Sequence, residues 1–196
     1  MLKNLKIGLG ITGSFCNFSK IKPEIDMLKE SGVQGILPIV SYSVIEETNR
    51  FSSPEKIITM LKEETENEII DTLSKAEPLG PKDMVDVLVI APCTGNTLAK
   101  FAQGVTDTPV LMALKSHIRN NKPVVLGVST NDGLGANGEN ITKLLNMKNI
   151  YLIPFKQDDP DKKPKSLVYD YTKMIDTIEQ AMDNKQIEPV LLQSHR

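Results

Sequence analysis

Val85-Asp86-Val87-Leu88-Val89-Ile90-Ala91-Pro92-Cys93-Thr94-Gly95-Asn96-Thr97 joins an apolar strand signal directly to a polar helix start. Residues 85–90 form the most apolar run in the chain, β-branched at Val85, Val87, Val89 and Ile90. Such a run predicts a strand buried on both faces, as at the centre of a parallel sheet. Pro92 ends that strand, Thr94 is placed to cap a helix over 94–103, and Asn96 and Thr97 make its first turn polar. Near the start the same order recurs: a short apolar strand over Lys6–Leu9, then Gly10-Ile11-Thr12-Gly13-Ser14 turning into a helix. Both turns therefore belong at one rim of the sheet. Open α/β sheets bind ligands at that rim, and a hydroxyl-rich turn at a helix N-terminus suits a phosphate. Together they point to a bound mononucleotide.

Outward from these turns, strand and helix patterns alternate. Strands are predicted over Val33–Val40, Val124–Val128 and Ile150–Pro154. The first helix is expected to be irregular, because Pro23 interrupts it and biases Lys22 away from the helical region. Ser53-Pro54-Glu55 reads as the start of a long helix carried by Ile57, Ile58, Leu61, Ile69, Ile70 and Leu73 up to Lys75. Further helices are predicted over Pro109–Arg119, Ile141–Asn146 and Leu167–Met182, with 129–138 a polar glycine-rich loop and 157–165 a charged, proline-broken one. Alternation of this kind implies a single doubly wound parallel sheet with right-handed crossovers, spanning residues 1–196 as one domain.

Composition narrows the function classes. A formal net charge of −2 over 196 residues gives no reason to expect a nucleic-acid or anionic-membrane partner. No apolar run is long enough to span a bilayer, and the N-terminus enters a strand with no signal-peptide core, so a cytoplasmic setting is expected. Cys16 and Cys93 are too few for a disulfide framework or a zinc site, and both read as buried packing residues. His117 and His195 read as surface residues. Asp158-Asp159-Pro160-Asp161 reads as a mobile acidic loop, and no metal is expected.

Gly8-Leu9-Gly10-Ile11-Thr12-Gly13 matches the G-x-G-x-x-G dinucleotide fingerprint in form. The fingerprint also requires an acid at the end of the second strand, and that strand ends Ile39-Val40-Ser41-Tyr42. A monophosphate held by Thr12, Gly13 and Ser14 fits better than NAD, against the plainer reading of a turn and a cap. For Thr94, Asn96 and Thr97 the alternatives are a ligand or merely a well-capped helix.

Gly10–Ser14, Ala91–Lys100 and Gly104-Val105-Thr106-Asp107 resemble the flavoprotein family of flavin-dependent cysteine decarboxylases, over roughly residues 5–155. The resemblance implies a flavodoxin-like, Rossmann-type three-layer α/β sandwich, FMN as cofactor, and a homo-oligomer. It places Gly13 and Ser14 at the FMN phosphate, Ser41 at the phosphate or ribityl chain, and Thr94, Asn96 and Thr97 along the flavin. Asn131 is the loose counterpart of the family's later Pro-x-Met-Asn segment, and residues 157–169 correspond to a flap over the substrate. The family's histidine base after the second strand has no counterpart between Met1 and Ser116. Residues 36–51, 124–138 and 155–169 are most similar to a branch that works as one subunit beside an NADPH-dependent partner subunit on a small diacid. For such a diacid, Arg50 in Thr48-Asn49-Arg50-Phe51 is a candidate carboxylate ligand, the alternative being a solvated loop charge. Within that resemblance, three readings stand: a flavin oxidoreductase subunit, a decarboxylase of the parent kind, or a non-catalytic phosphate-binding partner.

Overall fold

The computed structural model describes residues 2–48, 50–51 and 53–193; Asn49 and His195 lie outside them. In chain order the first half holds β1 (Lys6–Ile11), α1 (Phe18–Glu30), β2 (Gly35–Val40), α2 (Tyr42–Glu46), α3 (Pro54–Thr65), α4 (Leu73–Ala76) and β3 (Val87–Thr94). The second half holds α5 (Gly95–Ala102), α6 (Pro109–Arg119), β4 (Val124–Thr130), α7 (Gly138–Leu145), β5 (Ile150–Leu152), β6 (Phe155–Asp159), β7 (Lys163–Tyr169) and α8 (Met174–Met182). Among the described residues the strands form one sheet in the order β2-β1-β3-β4-β7-β6, with β5 also paired to β4.

Hydrophobicity explains the order. Ile7, Leu9 and Ile11 of β1, Val87 through Ile90 of β3 and Val124 through Leu126 of β4 are fully buried, as strands covered by helices on both faces must be. The pairs β2–β1, β1–β3, β3–β4 and β4–β5 are parallel, so the ends of β1, β2, β3 and β4 open on one edge of the sheet. Thr94 pairs with Ser129 there, past a register shift between Ile90 and Cys93.

The structure corrects four expectations. First, the sheet is mixed: β7 runs antiparallel to β4 and to β6. Second, residues 157–165 are largely a hairpin rather than a loop, and the closing helix begins later, because Leu167 and Tyr169 bury their side chains as strand residues. Third, α1 runs unbroken through Pro23. A proline removes one backbone hydrogen bond, and here burial of Ile21, Ile25 and Leu28 outweighs that loss. Fourth, the long helix from Pro54 stops at Thr65, where Glu66 turns left-handed with φ 53°. The chain then lies along β2: the N–H of Ile70 donates to Pro38 and that of Val40 to Ile70, each at 2.9 Å. Ile69 and Ile70 thus enter the core from an extended segment.

Candidate functional site

The open edge forms a cleft of two adjoining chambers, with volumes of 470 and 390 Å³, that meet at Gly13, Phe15 and Thr94. Gly13, Ser14, Thr94 and Asn131, with Arg50, line the larger chamber; Gly13, Ser41, Thr94, Asn96 and Thr97 line the smaller. Thr12 lies under the floor. Its buried hydroxyl donates to the Pro92 carbonyl at 2.8 Å and accepts from the Thr94 N–H at 2.9 Å. It ties the tips of β1 and β3 together, so both turns share one floor.

The smaller chamber is lined mainly by uncharged donors, with Glu47 and the Lys100–Asp107 pair as the charged groups among its described lining residues. Ser41 and Ser43 hydroxyls lie 3.0 Å apart beside Gly13. A Cβ on Gly13 would come within 2.6 Å of the Ser43 Oγ, so glycine keeps this cradle open. Opposite stands the start of α5, where Thr94 Oγ1 accepts from the Thr97 N–H at 3.2 Å and donates to the Thr97 hydroxyl at 3.0 Å. The remaining first-turn N–H groups have no intrahelical acceptor and face the same edge. Asn96 is exposed into this chamber, while Lys100 is occupied by Asp107 at 2.5 Å.

The larger chamber is different in charge. It holds two cations, Arg50 and Lys163. Arg50 stacks on the exposed Phe51 ring at 4.8 Å, and among the described residues no carboxylate pairs with it. Lys163 comes from the hairpin and holds Asp158 at 2.7 Å. Asn131 is exposed on the wall and its Oδ1 accepts from Ser166 at 3.4 Å. Behind it Asp132 accepts from Thr130, and from Asn137 at 2.9 and 3.0 Å. The Thr130 and Asn137 hydrogen bonds hold the Asp132 carboxyl below its ordinary range.

Lys163, Ser43 and Phe15 escape a reading of the sequence alone. Phe15 follows the quoted turn directly, whereas Lys163 reaches the cleft only because residues 155–169 fold as a hairpin. Two further expectations are corrected. Cys16 is exposed and lines the larger chamber, because the turn after β1 makes a short 3₁₀ segment over Phe15–Asn17 that leaves it outside. His117 is buried, its Nε2 lying 3.0 Å from the Pro123 carbonyl. Burial, followed by the charge of Lys122, pushes it down to about 4. Pro123 precedes β4, so His117 sits at the edge opposite the cleft. Cys93 is buried as expected, and desolvation pushes its thiol up to about 12.

Among the described residues no group of three or more metal-ligating side chains is assembled, and no helix is long and apolar enough to cross a membrane.

Comparison with known proteins agrees with this geometry. The family model described as Flavoprotein matches residues 1–183. The chain is 46% identical to the B subunit of dipicolinate synthase from Bacillus subtilis (strain 168), over 100% of this chain and 97% of the relative. The crystal structure of the dipicolinate synthase B subunit from Bacillus halodurans C superposes with a TM-score of 0.90 at 44% identity, covering 99% of each chain. The FMN-dependent cysteine decarboxylase SpaF, 21% identical over 93% of this chain and 99% of its own, shares the fold with a TM-score of 0.67. On the family match over residues 1–183 and the 46% identity over its full length, the chain belongs to the Flavoprotein family.

Proposed function

We propose that this chain is the B subunit of a dipicolinate synthase. It binds FMN across the cleft and acts with an NADPH-dependent A subunit to turn a dihydrodipicolinate-type precursor into dipicolinate for sporulation. One observation carries this reading: a hydroxyl-lined chamber suited to a phosphate adjoins a second chamber holding two cations, Arg50 and Lys163.

The residues fit the cofactor. Gly13, Ser41, Ser43 and the first turn of α5 offer neutral donors to a phosphate, and the open Gly13 cradle leaves room for one. Ser14, Thr94, Asn96 and Thr97 stand beside the path from there into the larger chamber, with Thr12 fixing the floor. FMN, when bound, supplies a two-electron acceptor. Aromatising a dihydropyridine ring releases a hydride and a proton, so an acceptor of that kind is what the reaction requires.

The chain's own residues bind and orient. Arg50 grips one carboxylate of a diacid with its planar fork, Lys163 attracts the second, and Asn131 hydrogen-bonds at the wall. The parent decarboxylase reading lacks support at the base: among the described residues no histidine lines either chamber, and His117 is remote and held neutral. The test is a visible spectrum of the purified chain after loading with FMN and gel filtration, followed by turnover with the A subunit. Flavin bands that co-elute with the protein, with turnover dependent on them, are expected. A colourless protein whose addition supports full turnover by the A subunit would overturn the oxidoreductase role and leave a partner subunit.

A further inference from the structure

Beneath the larger chamber runs a polar array that joins Ser14 to Lys20, Asn17 and Ser129, three residues that the proposed function does not use. Lys20 Nζ donates to Asn17 Oδ1 at 2.7 Å. An ammonium group only donates, so this contact fixes the amide: the oxygen faces Lys20 and the NH₂ faces the other way. The NH₂ donates to Ser129 Oγ at 2.7 Å and to Ser14 Oγ at 3.0 Å, with Cys16 Sγ a longer contact at 3.5 Å. Ser14 donates in turn to Ser129 Oγ at 3.0 Å.

Proton counting then gives a direction. Ser129 Oγ accepts twice, which fills its two lone pairs. Its own proton has no acceptor among the described residues, although the side chain is nine-tenths buried and lines the chamber. The Lys20 charge polarises the amide, and the amide draws electron density from both hydroxyls, which strengthens the outward O–H as a donor.

We infer that Ser129 donates its hydroxyl proton to a carboxylate oxygen of the bound dicarboxylate, with Asn17 and Lys20 as the positioning residues that set this polarity. The inference rests on the diacid reading above. It assigns a third carboxylate ligand besides Arg50 and Lys163, on the floor rather than the walls.

The test uses the full chain loaded with FMN and pyridine-2,6-dicarboxylate as probe, with both affinities measured by calorimetry. Ser129→Ala is expected to weaken the dicarboxylate at least tenfold and to change FMN affinity less than threefold. Asn17→Asp keeps the shape and the Lys20 contact but accepts protons from both serines, turning the Ser129 proton inward. It is expected to weaken the dicarboxylate to a similar degree, while adding little in the Ser129→Ala background. Full additivity would mean that the new charge acts by simple repulsion, and the polarity argument would fall. Lys20→Arg should retain most of the affinity that Lys20→Met loses. Wild-type affinity in Ser129→Ala overturns the inference, as does a loss confined to FMN. A wild-type chain that binds FMN but not the dicarboxylate overturns the diacid reading and the inference with it.

Discussion

Glu24 in α1 and His117 in α6 are buried titratable groups, and their effects on stability oppose each other. Tyr169 donates to Glu24 Oε1 at 2.5 Å, while the fully buried Oε2 has no partner. Desolvation dominates, and burial pushes the carboxyl up from 4.5 to about 7. A raised carboxylate adds stability that is present below the unfolded value and is lost as pH rises through the folded one. His117 is pushed down from 6.5 to about 4, so its contribution is present above 6.5 and is lost as pH falls toward 4. Each full span corresponds to about 3 kcal/mol, of which about 2 kcal/mol falls between pH 7.5 and 5. The two nearly cancel, and the ligand-free wild type should show a flat profile over that window. Glu24→Gln removes one side of the balance while leaving Tyr169 an acceptor. The variant is expected to lose about 2 kcal/mol between pH 7.5 and 5, a shift on the order of 1 M in the urea midpoint. The assay is urea unfolding at half-unit pH steps with the slope held constant. If Glu24→Gln and wild type give parallel profiles, Glu24 is not titrating in this range and the burial argument is wrong.

Gly13→Ala should keep the fold but push on Ser43, and FMN affinity measured by fluorescence quenching should fall at least tenfold. Arg50→Ala and Lys163→Ala are each expected to raise KM for the diacid about tenfold or more, with smaller effects on kcat, in steady-state assays with the A subunit. Thiol labelling should modify the exposed Cys16 and spare Cys93, whose thiol is buried and pushed up to about 12, and bound FMN should protect Cys16. Thr12→Val strands the Pro92 carbonyl and the Thr94 N–H; unfolding should show a loss of about 2–4 kcal/mol that Thr12→Ser largely restores.

The strand–turn–helix units are legible in the sequence because each depends on local pattern: an apolar run, a glycine or proline stop, and a hydroxyl in the cap. That is why Thr94 reads as the cap of α5 and Pro109–Arg119 as α6. The errors arise where a distant partner decides the local state. Ile69 and Ile70 satisfy a helical period, yet β2 offers them backbone hydrogen bonds that a helix surface does not. Lys163-Pro164-Lys165 looks like loop chemistry, but Leu167 and Tyr169 bury deeply enough to pull the segment into the sheet. Without that hairpin nothing ties Lys163 to the cleft. His117 carries no sequence sign of burial; its neighbours Ile118 and Arg119 suit an exposed helix end as well as a covered one.

The two chambers differ in electrostatics, and the difference orders a two-part load. In the smaller chamber Lys100 is paired with Asp107 and Glu47 adds a carboxylate to the wall, so the donors that meet a phosphate are dipoles and hydroxyls. In the larger, Arg50 stands on a ring face with no carboxylate partner among the described residues, and Lys163 holds a hairpin aspartate that a ligand carboxylate can replace. On the proposed reading a mobile dicarboxylate is drawn to the larger chamber, since net charge attracts over longer distances than dipoles do. A phosphate anchored to a larger group gains more from the fixed donors at Gly13, Ser41 and Ser43, which lose little entropy when they engage it. Thr12 locks the tips of β1 and β3 together, so Gly13 and Thr94, which both chambers share, are held by the backbone, while Arg50 and Lys163 reach the larger chamber from other segments. That rigidity is what positioning two reactants against each other requires, and it accounts for a buried hydroxyl placed under a floor it does not itself line.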